Sequence, residues 1–166
     1  MRKANELREY LTRCNRYLAE NPDRLHTFVD DGSIHCTASL NLSHEYRYTI
    51  TIVVTDYAGP ADALMLPLLA WLRIKQPELM ANPERRANAI KFDVEVLNHN
   101  SADVEIKLPL TERVVVRQLP DGSMVAEHVD EPVDPELPEA APDVTITIPG
   151  VEPDTVTVPD WRQTHG

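Results

Sequence analysis

Between Tyr46 and Asp56 apolar and polar positions alternate. Tyr46, Tyr48, Ile50, Ile52 and Val54 fall on one side, and Arg47, Thr49, Thr51, Val53 and Thr55 on the other. That is the period of a strand with one buried face. Ile90, Phe92, Val94 and Val96 alternate in the same way with Lys91, Asp93 and Glu95. A third alternation sets Val104, Ile106, Leu108, Leu110, Val114 and Val116 against Asp103, Glu105, Lys107, Thr111 and Arg113. "LNHNSAD" joins the last two as a hairpin loop, and Pro109 argues for an edge strand or a bulge. Upstream, "LHTFVDDGSIHCTA" reads as two short strands around an Asp30-Asp31-Gly32 turn. Downstream, "QLPDGSMVAEHV" reads as one more turn and a short strand.

Two stretches carry the helical period instead. Leu7, Tyr10, Leu11, Cys14, Tyr17 and Leu18 form one apolar face of a helix from about Glu6 to Glu20, with Asn5 as cap and Pro22 as stop. "ADALMLPLLAWLRIKQP", Ala61 to Pro77, is apolar almost all round: Arg73 is its only charge between Ala63 and Ile74. Asp62 is the expected N-cap, and Pro67 predicts a kink or a late start. The sheet can cover Leu64, Leu68, Trp71 and Leu72. Leu66, Leu69 and Ala70 then need a second cover, either the first helix or another subunit. Leu66, Leu69, Trp71 and Arg73 are therefore the candidates for a core or subunit-interface helix. The order α-β-β-β-α-β-β predicts an α+β fold, an antiparallel or mixed sheet packed with two helices.

Charge changes the picture only at the C-terminal end. Sixteen Lys/Arg against 27 Asp/Glu give a net of −11. Only Arg162 among the basic residues lies beyond Arg117, so the body is nearly neutral and the tail acidic. No basic stripe exists to bind a phosphate backbone, which disfavours specific nucleic-acid binding. "DEPVDPELPEAAPD" is a stiff acidic linker, and "TITIP" and "TVTVP" beyond it pattern as a two-strand hairpin. Such a hairpin does not hold alone and must dock, with Ile146, Ile148, Val156, Val158 and Trp161 as candidate docking residues. The expected division is a body over 1–128, a linker over 129–143 and a hairpin extension over 144–166. The apolar run Ala63 to Leu72 is too short for a bilayer, and "MRKANELREYL" has no signal-peptide core, so no membrane partner is expected. Cys14 and Cys36 lack CxxC spacing and read as reduced thiols in a cytosolic protein, with a disulfide or metal pair as the alternatives.

Catalytic chemistry finds little support. No HExxH, GxSxG, P-loop or GxGxxG pattern occurs. His26, His35, His44 and Cys36 fall on different strands and faces, which argues against a metal site. Asp30-Asp31 reads as turn chemistry and Asp56 as a strand-to-helix corner. No catalytic, metal or cofactor residues are assigned, and no cofactor is expected.

Three stretches carry a resemblance: "NPDRLHTFVDDGSI", "HEYRYTITIVVTDYAGPADALMLPLLAWLRIKQPELMANPE" and "LPLTERVVVRQ". They resemble the gpR tail completion family of temperate, contractile-tailed phages of the peduovirus type, over roughly Asn21 to Gln118. The strand, the Thr55-Asp56-Tyr57 corner, the Pro-Leu-Leu-Ala-Trp-Leu helix and the Gln-Pro pair follow in that order, and Trp161 is similar to the family's terminal Trp. The resemblance implies a tail-terminator-like α+β fold and a non-enzymatic virion protein. It would cap the head-proximal end of the tail tube and sheath once they reach full length, and form the surface for head–tail joining. The implied partners are further copies of itself in a ring, most often a hexamer, together with the tail tube protein, the tail sheath protein and neck or head-completion proteins. DNA would pass through the lumen. It would assemble in the host cytoplasm and end in the virion tail. The alternative role is a transient assembly chaperone or adaptor that leaves before maturation.

Overall fold

The alternating tyrosine-rich segment is the middle of the sheet in the computed structural model, which describes residues 1–36, 42–132, 143–149 and 155–158. It forms β2 (His44–Tyr57), flanked by β1 (Leu25–Cys36) and β4 (Ala102–Gln118). β3 (Lys91–Val96) and β5 (Met124–Val129) both pair with β4, at opposite ends of it. All pairings are antiparallel, so the α+β class holds and the sheet is not mixed. Ile50, Ile52 and Val54 lie fully in the core, opposite Leu108, Ile106 and Val104.

Four expectations are corrected. The first helix is two: α1 (Arg2–Cys14), entered from Met1 rather than Asn5, and α2 (Arg16–Glu20), separated by extended Asn15. The Asp-Asp-Gly segment is not a hairpin turn. β1 is one strand, and its register against β2 shifts between Asp30 and Ser33. Asp31 sits there at φ 51°, so turn-forming residues here build a bulge. The β1–β2 hairpin turns instead between Cys36 and His44. "QPELMANPE" contains two short helices, α4 (Pro77–Ala81) and α5 (Pro83–Ala89), each opened by a proline. At the first helical position proline starts a helix, because the amide it lacks has no partner there in any case. Finally, Phe92, Val94 and Val96 are 62%, 45% and 74% exposed. They stand on the core face, opposite Ile106, Val104 and Ala102, yet are left open among the described residues.

The long apolar helix is α3 (Asp62–Lys75), with Ala61 rather than Asp62 at the N-cap. It starts five residues before Pro67, so proline does not delay it. Pro67 cannot donate to the Ala63 carbonyl four residues back. Asn15 Nδ2 fills that vacancy at 3.1 Å. The same amide bonds the Tyr57 hydroxyl at 3.0 Å, and Asn15 Oδ1 accepts from the Leu18 amide, capping α2. Tyr57 in turn donates to Pro60 O at 3.1 Å. A Cβ on Gly59 would lie 2.5 Å from the Tyr57 hydroxyl oxygen, so only glycine lets this ring stay.

β6 (Val144–Thr147) and β7 (Thr155–Val158) form the expected hairpin, with Ile146 opposite Val156. It docks on its own chain: β7 packs on α3 and α1, and Ile148, Val156 and Val158 join the main core. Helix α3 is thus covered by the sheet, by α1 and by the C-terminal hairpin.

Two outcomes follow from this packing. Asn15→Ala removes a cap and leaves a buried carbonyl without a donor, and should cost about 2–3 kcal/mol in urea unfolding. Pro67→Ala supplies the missing amide, so the same substitution should cost measurably less in a Pro67→Ala background. Val158→Asp would bury an unpaired charge and should lower stability by at least about 3 kcal/mol. An unchanged melting temperature would mean that the hairpin is undocked in solution.

Candidate interaction surfaces and the buried polar network

Three buried polar side chains, Lys3, Gln76 and Glu112, gather where α1 meets β4. Glu112, on the core face of β4, accepts from the Arg2 and Lys3 amides at 3.0 and 3.1 Å. Met1 gives α1 no side-chain cap, so a carboxylate from far along the chain takes that place at the positive end of the helix. The Tyr48 hydroxyl donates to the same carboxylate, and His128 Nδ1 lies 3.2 Å from it. Burial by itself would raise the Glu112 pKa. The Tyr48 hydroxyl and the two helix amides outweigh it and hold the carboxyl below its ordinary value. Tyr48 is pushed well above the usual phenol range, by burial first and by Glu112 second.

Lys3 extends this network. It is 2% exposed, and its Nζ bonds Gln76 Oε1 at 3.0 Å and Glu131 Oε1 at 2.8 Å. Gln76, between α3 and α4, also bonds the Thr111 amide and hydroxyl. Thr111 lies on the stretch of β4 between β3 and β5, where that edge has no strand beside it. Gln76 therefore stands in for the missing strand. Amides two residues apart on a strand point the same way, so Pro109 lacks its N–H on this same open side. The expectation that Pro109 marks an edge is met locally. Arg2 pairs with Asp130 and Lys3 with Glu131, which ties the start of the acidic segment to α1.

These groups hold elements together. Among the described residues no three His, Cys, Asp or Glu side chains gather in a metal-holding group. Ser33 Oγ and His35 Nε2 are 3.2 Å apart but exposed. A cleft of about 560 Å³ beside Gln76 and Thr111 is lined by Arg47, Glu45, Glu78 and Asn88 but by no histidine or cysteine.

The predicted interface residues divide. Trp71 is 3% exposed and belongs to the core. Leu66, Leu69 and Arg73 recur at helical spacing on the outer side of α3: Leu66 half-buried against the core, Leu69 38% exposed, Arg73 exposed. In the hairpin, Ile148, Val156 and Val158 are buried and Ile146 packs beside them, while Trp161 lies outside the described residues. Sequence reasoning missed Asn15, Gln76 and Glu112 as organising polar groups. It also treated the β3 apolar positions as one side of an ordinary strand rather than as open surface. Their alternation was the available signal, and it names a face without naming a cover.

Comparison with known proteins places the chain among the proteins of phage tail assembly. It belongs to the family described as P2 phage tail completion protein R (GpR), whose model matches residues 1–132. It is 42% identical over 136 residues to "Tail completion protein R" of Escherichia phage P2, covering 82% of this chain and 87% of that protein. No solved structure matches.

The Glu112 site fixes a pH dependence. Its folded-state pKa lies below the ordinary 4.5, so the ionised form favours the fold. That contribution is complete above the ordinary value and is lost as pH falls through the lower, folded one. Glu112→Gln should cost about 2 kcal/mol near neutrality and flatten the acid limb of the stability curve. Urea titrations between pH 7 and pH 3 measure both effects.

Proposed function

We propose that this tail assembly protein closes the head-proximal end of the tail. Six copies would form a ring on the last layer of tube and sheath after length completion. One face of the ring would match a tube layer. The other would lack the tube's own subunit contact, so growth stops there, and would instead receive neck or head-completion proteins. The observation that carries this reading is the 42% identity to a tail completion protein over most of both chains. Two further features support it. The exposed apolar strand β3 and the outer side of α3 are surfaces suited to subunit contact. A nearly neutral body without a basic stripe suits a lumen through which DNA passes without sticking. Assembly would take place in the host cytoplasm, and the protein would remain in the virion.

Cryo-electron microscopy of complete tails should show six copies at the head-proximal end, and heads should fail to join tails made without the protein. Quantitative mass spectrometry of purified virions checks retention. Stoichiometric presence is expected, and absence would make the protein a transient assembly chaperone instead.

A further inference from the structure

Among the described residues β1 has no strand beyond it on one side of the sheet, and on the other side neither β3 nor β5 has one, with β2 and β4 between. Each neighbouring pair is antiparallel, so β1 and β3 run in opposite directions. A second copy set alongside with the same face up therefore brings its β1 antiparallel to this β3. Strands that stay unpaired are usually blunted by proline or by a bulge. β3, "KFDVEV", contains neither proline nor a register shift, and the register shift of β1 lies beyond Asp30, past its regular stretch Leu25 to Asp30.

Faces and charges select a register. Phe92 and Val94 stand on the core face, as do Thr27 and Val29, which lie opposite Ile52 and Ile50. Phe92, Val94 and Val29 are all exposed. Pairing Phe92 with Val29 and Val94 with Thr27 puts Lys91 opposite Asp30 and Glu95 opposite His26 on the outer face. Within its own chain β3 has the reverse. Lys91 lies opposite Lys107, Asp93 opposite Glu105 and Glu95 opposite Asp103. Like charges directly opposite each other disfavour a strand pair, so Lys91 and Glu95 meet better directly opposite partners across the edge, while Asp93, which already interacts favourably with Lys107, falls opposite Phe28. Pairing β3 with another β3 on the same face sets Asp93 against Glu95 when Val94 meets Val94, and against Asp93 when Phe92 meets Val94; the three-residue overlap with Phe92 on Phe92 is the register that spares it.

We propose that β3 of one copy pairs with β1 of the next, Lys91 opposite Asp30 and Phe92 opposite Val29, so that one antiparallel sheet runs on from subunit to subunit. Such a contact joins two different patches, the kind that builds a ring when the rotation between copies closes. The proposal rests on the ring reading above and adds to it the strands that build the ring.

The test is disulfide trapping in the full chain carrying Cys36→Ser, both purified at high concentration and in assembled tails. Phe28→Cys with Asp93→Cys places the two thiols opposite each other in this register. Val29→Cys with Asp93→Cys places them on opposite faces. Mild oxidation should give a ladder of covalent oligomers up to the closed ring from the first pair and none from the second. Lys91→Asp should weaken self-association at least tenfold, and adding Asp30→Lys should restore it, with circular dichroism confirming the fold of each variant. A ring seen by microscopy without the in-register ladder overturns the strand pairing and leaves the ring reading intact. So does a product that stops at dimer from Phe28→Cys alone, which would mean β1 meets β1. If neither ring nor ladder is found, both readings fall.

Discussion

One side-chain amide holds the helical layer to the sheet. Asn15 ends α1, caps α2, reaches the Tyr57 ring at the end of β2 and supplies the donor that Pro67 denies to α3. A proline inside a buried helix leaves a carbonyl that must find a partner or cost the fold about 1–3 kcal/mol. Here the partner comes from the break between two other helices. Break, corner and proline therefore depend on one another, and Gly59 is part of the same arrangement because any side chain there would push the Tyr57 ring away.

The buried polar groups follow one plan. Glu112 substitutes for a helix cap, Gln76 for a strand, and Asn15 for a helix amide. Each stands where regular hydrogen bonding is interrupted, and each is satisfied by backbone as well as by side chains. Polar chemistry is thus spent on holding layers in place. The apolar side chains left open are those of β3, Phe92, Val94 and Val96, and Leu69 on the outer side of α3. The proposed role, stopping one polymer and starting another contact, would call for rigid surfaces of that kind more than for a reactive pocket.

Much of this was legible in the sequence where a period is strict. β2, α3 and the terminal hairpin follow directly from alternation or an apolar run, because those patterns have one geometric solution. Asn15 was invisible because the apolar spacing of Cys14, Tyr17 and Leu18 continues straight through it. Asp30-Asp31-Gly32 misled because a left-handed residue serves a bulge as well as a turn. Helices α4 and α5 were passed over because proline was read as punctuation only. For the interaction surfaces, Trp71 and Leu69 look alike along the helix, and only packing separates the buried one from the open one. That the hairpin must dock could be argued from its size. That it docks on α3 could not, since nothing local in "TVTV" names its partner.

The cap on α1 has a consequence for the order of events during folding. The helix leaves the ribosome first, yet the carboxylate that completes its N-terminus is 110 residues downstream on β4. Such a contact carries a large loop-closure cost and forms late. α3 can gain its sheet as soon as β2 and β4 pair. α1 has to wait until β4 has been made, and the hairpin that packs against both helices comes later still. The first segment synthesised is thus among the last to be secured, and until then the nascent chain exposes the apolar faces of both helices. The apolar faces of α1 and α3 are fully covered only once the hairpin has docked on them.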